Sequence, residues 1–332
     1  MSFSNLVKTF WSGGNLETYM NAIEAEAAQV PGVTLSLTDA HIRTQAMPDK
    51  PGKMTFSRAQ KLEQMGHLFR VIRNTFRISK SYRTELTPSK YGADPSTITD
   101  LESLAKDLGV TALGYTDVHP EDIFENKTAP YTHAIVYAVE MDKDRMSHAP
   151  GAESMIEVIS AYRESDTIGL ALVAFLRERG FGAYPGLSIG GMVDYPSLAE
   201  RAGLGTMGYH GMLISPHDGA RLRLSVVYTN ISNLPEHPNK HLWIRDFCDR
   251  CRKCIRSCPP AAIYDRPQDR GDGGKTCIDA DACRTYMGSN YTCGVCAKVC
   301  PFSNAGYDKI KAGFDKARAH ERSGAIPLAT LT

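Results

Sequence analysis

Seven of the nine cysteines in this 332-residue chain fall in two short runs. The first, CDRCRKCIRSCP, supplies Cys248, Cys251, Cys254 and Cys258, with Pro259 behind the last. The second, CGVCAKVCP, supplies Cys293, Cys296 and Cys300 before Pro301. Cysteines separated by two, two and three residues and then followed by proline form the bacterial ferredoxin run. In that run three thiolates hold one 4Fe-4S cluster and the fourth reaches across to another. A structural zinc site uses four ligands, usually as two separated pairs, and has no need of a fourth cysteine before a proline. The second run lacks its first cysteine, so a remote thiol must complete the set, and Cys277 and Cys283 both stand upstream. Crossed ligation then assigns Cys248, Cys251, Cys254 and Cys300 to one cluster, and Cys258, Cys293, Cys296 and one of the upstream pair to the other. The ninth cysteine is left as a small buried apolar side chain. Two clusters joined in this way form an electron relay.

A relay needs a terminus, and the elements that build it must lie upstream. From about Asp94 helix and strand signals alternate. The stretch TITDLESLAKDLG carries a helical apolar stripe at Ile98, Leu101, Leu104, Ala105 and Leu108, stopped by Gly109. Val110 to Tyr115 and His133 to Glu140 are short and β-rich, hence strands. A long helix is expected from Ala152 to Arg179, ending before Gly180, and Arg221 to Asn230 reads as a further strand. The fold class is therefore α/β (α+β). Residues 1–93, more polar and interrupted by PDKPGK, are expected to be an N-terminal helical extension or cap. The core is assigned to 94–240, the two-cluster ferredoxin-like domain to 241–304 and a tail to 305–332. Between Tyr184 and Leu224 stand eight glycines, with Gly182 just upstream; so many would let backbone approach a large flat or phosphorylated ligand. The GLGTMG stretch has the spacing of a dinucleotide fingerprint, but a helical pattern precedes it where a strand is required, which argues against nicotinamide or flavin binding.

Composition sets bounds. Apolar residues make up 42% and charged residues 23% of the chain, as in ordinary globular proteins. Basic and acidic residues, 38 against 37, leave a net charge of +1. That balance gives no global field for nucleic acid or anionic lipid, so nucleic acid is not an expected partner. No apolar stretch is long enough to span a bilayer. The first residues, MSFSNLVKTFWSGG, lack the pattern of a secretory signal. A cytoplasmic location is expected, where thiols stay reduced and clustered cysteines are more often metal ligands than disulfides.

The order of motifs resembles the cobalamin-dependent reductive dehalogenase family. It runs from HAIVYAVEMD through AERAGLGTMGYHGMLISPHDGARLRLSVVYTN and the ferredoxin run to DADACRTYMGSNYTCGVCAKVCPF, covering about Asp94 to Phe302. More distantly it resembles the epoxyqueuosine reductases, which share the cofactor and the cluster layout. The resemblance selects Cys283, in DADAC, as the remote ligand and leaves Cys277 spare. It implies a nitroreductase-like core holding a base-off corrinoid, with two 4Fe-4S clusters reducing its cobalt. Gly186, Ser188, Gly203, Leu204, Gly205, Gly208, His210 and Gly211 are the implied cofactor contacts. A tyrosine in SAYRES, Tyr162, is the implied proton donor, with Tyr184 as substitute. Dehalogenases carry Arg or Lys where this chain has Tyr209, which leaves four readings open: the donor is a weaker acid, the cation comes from another residue, Tyr209 donates the proton itself, or the substrate is not an organohalide. The implied substrate is a small, aromatic organohalide, and the electrons are expected from an external low-potential donor, a ferredoxin or flavodoxin. Modification of tRNA of the epoxyqueuosine type and a non-catalytic corrinoid or electron-transfer role are the alternatives.

Overall fold

The computed structural model describes residue 30, residues 34–35 and 52, and residues 54–84, 86–124, 127–188, 191–269 and 275–322. Much of the expected N-terminal extension, residues 1–29 included, lies outside this set. The main sheet has four strands: β1 (Ala112–Asp117), β2 (His133–Glu140), β3 (Ala183–Pro185) and β4 (Leu222–Thr229). Their spatial order is β1-β2-β4-β3 and every pairing is antiparallel, so the fold is of the α+β kind.

Strand β2 is apolar at nearly every position because both faces of the sheet are covered. Ala134, Val136 and Ala138 face one layer, with Val226 and Tyr228 of β4, Ile72, Ile78 and Tyr82 of α1 (Arg58–Tyr82), and Leu198. Ile135, Tyr137 and Val139 face the other, with Leu101 and Ala105 of α2 (Pro95–Asp107) and Ile168, Leu172 and Leu176 of α3 (Ala152–Glu178). The expected strand at Val110 begins two residues later. Gly109, at φ 93°, closes α2, its N–H bonded to the Lys106 carbonyl and that of Val110 to the Ala105 carbonyl; the helix cap therefore consumes Val110.

Helix α1, expected in an extension or cap, is part of the core: it packs along α3 and buries Val71, Ile72 and Ile78. Its start is fixed by a capping box between Ser57 and Gln60. Helix α4 (Tyr195–Arg201) leads into the glycine-rich loops, as the helical reading of PSLAERA required.

The cysteine-rich unit consists of α5 (Trp243–Cys251), α6 (Lys253–Ser257), the hairpin β5 (Ile263–Asp269) and β6 (Lys275–Ile278), α7 (Ala280–Met287), α8 (Val295–Val299) and α9 (Pro301–Ala305). Residues 307–322, expected within a tail, form α10 (Tyr307–Arg322). Phe314 of α10 is buried against Trp243 and Phe247, and the Tyr307 hydroxyl receives the Trp243 indole N–H at 2.8 Å. A third apolar cluster joins the two units. It combines Met141, Val158, Ala161 and Ile214 from the sheet side with Ile244, Ile263, Ala297 and Phe302 from the cysteine side.

Candidate metal centre

None of the nine cysteines is in a disulfide, and eight of them ring two cavities. Cys258, Cys283, Cys293 and Cys296 line an apolar cavity of about 220 Å³, together with Met146, Val158, Ile263 and Ile278. Cys248, Cys251, Cys254 and Cys300 line a tighter one of about 20 Å³, walled by Ile214, Phe247 and Phe302. Each ring takes its members from both sequence runs, Cys258 and Cys300 being the exchanged ones. Cys277 joins neither; it is buried beside Gly211 and lines a different pocket.

Local backbone explains how the runs close. Helix α5 ends at Arg252, at φ 50°, whose N–H bonds to the Cys248 carbonyl, turning the chain so that Cys251 and Cys254 follow on a new axis. The second run is entered through Tyr291, Thr292 and Cys293, all at positive φ, and then Gly294 at φ 84°. The Ala262 N–H donates to the Cys258 sulfur at 3.3 Å. Burial, with neighbouring thiols adding to it, pushes Cys248, Cys296 and Cys300 up to about 12 and Cys254 up to about 11. Burial likewise raises Cys283 and Cys293. Four thiols packed this closely in apolar surroundings give up their protons only to a cationic centre that the resulting thiolates can hold. Sulfur donors, apolar walls and an N–H aimed at sulfur suit an iron–sulfur cluster. Among the described residues no three His, Cys, Asp or Glu side chains converge as they would on one metal ion.

The remaining expected site residues are distributed around these rings. Tyr162 is half-buried on α3 and packs against the third apolar cluster. The guanidinium carbon of Arg223, on β4, stands 4.8 Å from the centre of its ring, a cation–π arrangement. Arg223 also lines the larger cysteine cavity, and its Nε is buried without a hydrogen-bond partner among the described residues. Nothing in the Tyr162 sequence context signalled that contact, because a strand 61 residues further along the chain supplies it. Tyr209 packs on the same cluster, and its hydroxyl donates to the carboxylate of Asp249 on α5. Burial and that bond push its pKa up to about 12. Tyr209 and Gly208 line a polar pocket of about 500 Å³ with Asp194, Glu200, Arg245, Asp249, Arg266 and Lys275. Tyr184 lies elsewhere, fully buried in the sheet core and stacked on Tyr82 at 5.2 Å.

The glycines meet protein. A Cβ on Gly186 would lie 2.6 Å from the Tyr195 hydroxyl, on Gly203 2.8 Å from the His237 carbonyl, and on Gly205 2.2 Å from the Ile214 carbonyl. Gly208 faces Ile214 and His210, while Gly211, at φ 75°, would only touch Cys277. Leu204 is buried in the sheet core. The Ser188 N–H donates to Asp166 at 3.3 Å, and burial pushes that carboxyl up to about 7. His210 is fully enclosed; it lines both cysteine cavities, and burial pushes its pKa down to about 4.

The sequence model of the 4Fe-4S dicluster domain matches residues 247–304. The tetrachloroethene reductive dehalogenase of Sulfurospirillum multivorans is 31% identical over 180 residues, covering 52% of this chain and 35% of that protein. An epoxyqueuosine reductase of Francisella cf. novicida (strain Fx1) is 35% identical over 126 residues, 32% of this chain and 31% of that one. The solved structure of the catabolic reductive dehalogenase NpRdhA, in complex with 3-bromo-4-hydroxybenzoic acid, shares the fold with a TM-score of 0.65 at 22% identity. That match covers 75% of this chain and 38% of NpRdhA. The chain thus spans little more than a third of the length of the dehalogenases it matches. The resemblance to the reductive dehalogenases holds in both sequence and fold.

Proposed function

We propose that this chain is a corrinoid- and iron–sulfur-dependent reductase that removes halogen from a small, aromatic organohalide. The observation that carries the reading is the sorting of eight cysteines into two crossed rings of four, with Cys277 outside both. Each ring holds one 4Fe-4S cluster, and the pair passes electrons singly from an external ferredoxin or flavodoxin. Clustered cysteines outside any disulfide suit a reducing, cytoplasmic setting. No helix among the described residues is long and apolar enough to cross a membrane.

A base-off corrinoid, when bound, would supply the two-electron cleavage of the carbon–halogen bond. The polar pocket beside Gly208 and Tyr209 offers Arg245, Arg266 and Lys275 to an anionic tail and Asp194, Glu200 and Asp249 to amide groups. His210 lines the cysteine cavities, which supports a corrinoid held without a histidine ligand. In balance, the organohalide takes two electrons and one proton and leaves as the hydrogenated product and halide. The proton is held on the Tyr162 hydroxyl. Tyr209 cannot stand in for the family's Arg or Lys, since it is a donor already committed to Asp249. Arg223 is the cation beside Tyr162, placed to favour the phenolate that remains once the proton has left.

The test is halide release from a panel of haloaromatics by the reconstituted protein with cobalamin and a low-potential reductant. Release that needs both cobalamin and iron supports the reading; none across the panel, with both cofactors loaded, defeats it. The match to an epoxyqueuosine reductase sustains a second reading, in which the same loaded protein converts epoxyqueuosine in a tRNA stem loop instead.

A further inference from the structure

His210 stands between the two rings of cysteines. It lines both the cavity of Cys258, Cys283, Cys293 and Cys296 and that of Cys248, Cys251, Cys254 and Cys300, and it is only 5% exposed. Nδ1 accepts the Met212 backbone N–H at 3.1 Å, so in the neutral ring the proton resides on Nε2. That Nε2 is buried and has no hydrogen-bond partner among the described residues. Folded proteins rarely strand a buried N–H, since its lost hydration goes uncompensated. Room for the ring is built in. A Cβ on Gly208 would lie 2.9 Å from Cε1 and 3.1 Å from Nε2 of His210, so only glycine admits the imidazole. The walls of both cavities are mainly carbon and cysteine sulfur.

We propose that His210 donates its Nε2–H to a sulfur of one iron–sulfur cluster and thereby sets that cluster's reduction potential, touching neither corrinoid nor substrate. The proposal rests on the reading of the two cavities as 4Fe-4S sites. A hydrogen bond to sulfur favours the reduced cluster, which carries one more negative charge, and so raises its potential. One donor placed between two clusters and given to one of them makes that cluster the deeper resting place for the electron. The relay then has a direction that its two equal sets of thiolates would not give it.

The experiment is a potentiometric EPR titration of the full chain loaded with iron and sulfide. It compares the unmodified protein with His210→Phe, which keeps a ring and loses the donor, and His210→Gln, which keeps an N–H. All three should bind about eight irons per chain. His210→Phe should lower the midpoint of one cluster by about a tenfold change in its one-electron equilibrium, about 59 mV. His210→Gln should stay close to the unmodified protein. Unchanged midpoints in His210→Phe, or equal shifts in both variants, overturn the proposal. Should neither variant take up iron, the unmodified protein labelled with ¹⁵N-histidine decides. A weak hyperfine coupling from one histidine nitrogen to a reduced cluster supports the donor, whereas no coupling, or the strong coupling of a direct iron–nitrogen bond, overturns it. An unmodified protein that binds no iron overturns the cluster reading, and the role of His210 with it.

Discussion

Strand β2 buries six consecutive residues, Ala134 to Val139, between two apolar layers, whereas α7, which carries Cys283, has no buried residue at all. Backbone conformation divides the molecule along the same line. Arg252, Ala261, Tyr291, Thr292 and Cys293 are the non-glycine residues at positive φ among those described, and all belong to the cysteine-rich unit. Such residues cost on the order of 1–3 kcal/mol each and persist only where their surroundings over-determine them. The sheet unit is therefore shaped by burial that it supplies itself. The cysteine unit is shaped for a guest, and metal–thiolate bonds are what would offset its strained turns.

The largest expected effect comes from removing that guest. Cys283→Ala should lose one cluster, bringing iron from about eight to about four per chain, and should open the segment after Met287 to proteolysis. Cys277→Ala should keep its iron. Iron counts and limited proteolysis of the two variants check this, and the opposite pattern would exchange the roles of the two cysteines. Stripping all iron with a chelator should melt the cysteine unit while hydrogen exchange in β2 and β4 stays slow. Uniform loss of protection would erase the contrast between the halves.

Next in size is Tyr162→Phe, at the junction of the two units. Iron and corrinoid content should be unchanged, with turnover down on the order of a hundredfold to ten-thousandfold, the contribution of a positioned acid. A loss under about threefold would leave Tyr162 a packing residue and solvent the proton source. Leu172→Ala attacks the self-supporting half alone. Truncating this fully buried side chain should cost about 2–5 kcal/mol in a chemical unfolding transition of the sheet unit, without altering iron stoichiometry.

The smallest effect concerns pH. Burial pushes the Asp166 carboxyl up to about 7, above its ordinary value, so the fold prefers it protonated. Its contribution is full below about 4, where unfolded and folded chains both hold the proton, and is lost as pH rises through about 7. Asp166→Asn keeps an oxygen for the Ser188 N–H. It should raise the melting temperature at pH 8 and leave it unchanged at pH 4, as thermal scans at the two values will tell.

Spacing marks seven of the cysteines as ligands, because metal ligation is written in spacing and proline marks where each run must stop, but it leaves Cys277 and Cys283 level, and only the family resemblance separates them. Strand β2 and helix α3 were equally legible, the strand as a short, continuous β-rich run and the helix as a long apolar stripe of helical period. What escaped were contacts between segments distant in the chain. Glycines 186, 203, 205 and 208 look alike in sequence whether they make way for a ligand or for Tyr195, His237, Ile214 and His210. The core role of α1 was hidden because its exposed face, with Lys61, Arg70 and Arg77, dilutes the apolar stripe that Val71, Ile72 and Ile78 bury. Arg223 over Tyr162 depends on β4 passing beside α3, which no local pattern encodes.

At the junction, a Cβ on Gly219 would lie 2.5 Å from the Phe302 carbonyl carbon, and the Ala220 N–H donates to the Ser303 hydroxyl at 3.1 Å. Arg221, itself buried, gives one N–H to the Ser303 carbonyl and others to Met141 and Glu140. A chimera that grafted another ferredoxin-type segment onto residues 1–240 would take Ser303 away from that guanidinium and leave a foreign main chain against Gly219. The cysteine-rich segment cannot be inherited or exchanged as a cassette. Any donor segment would have to bring its own match for three consecutive residues of the strand's approach, Gly219, Ala220 and Arg221, so the two units can be expected to change only in step.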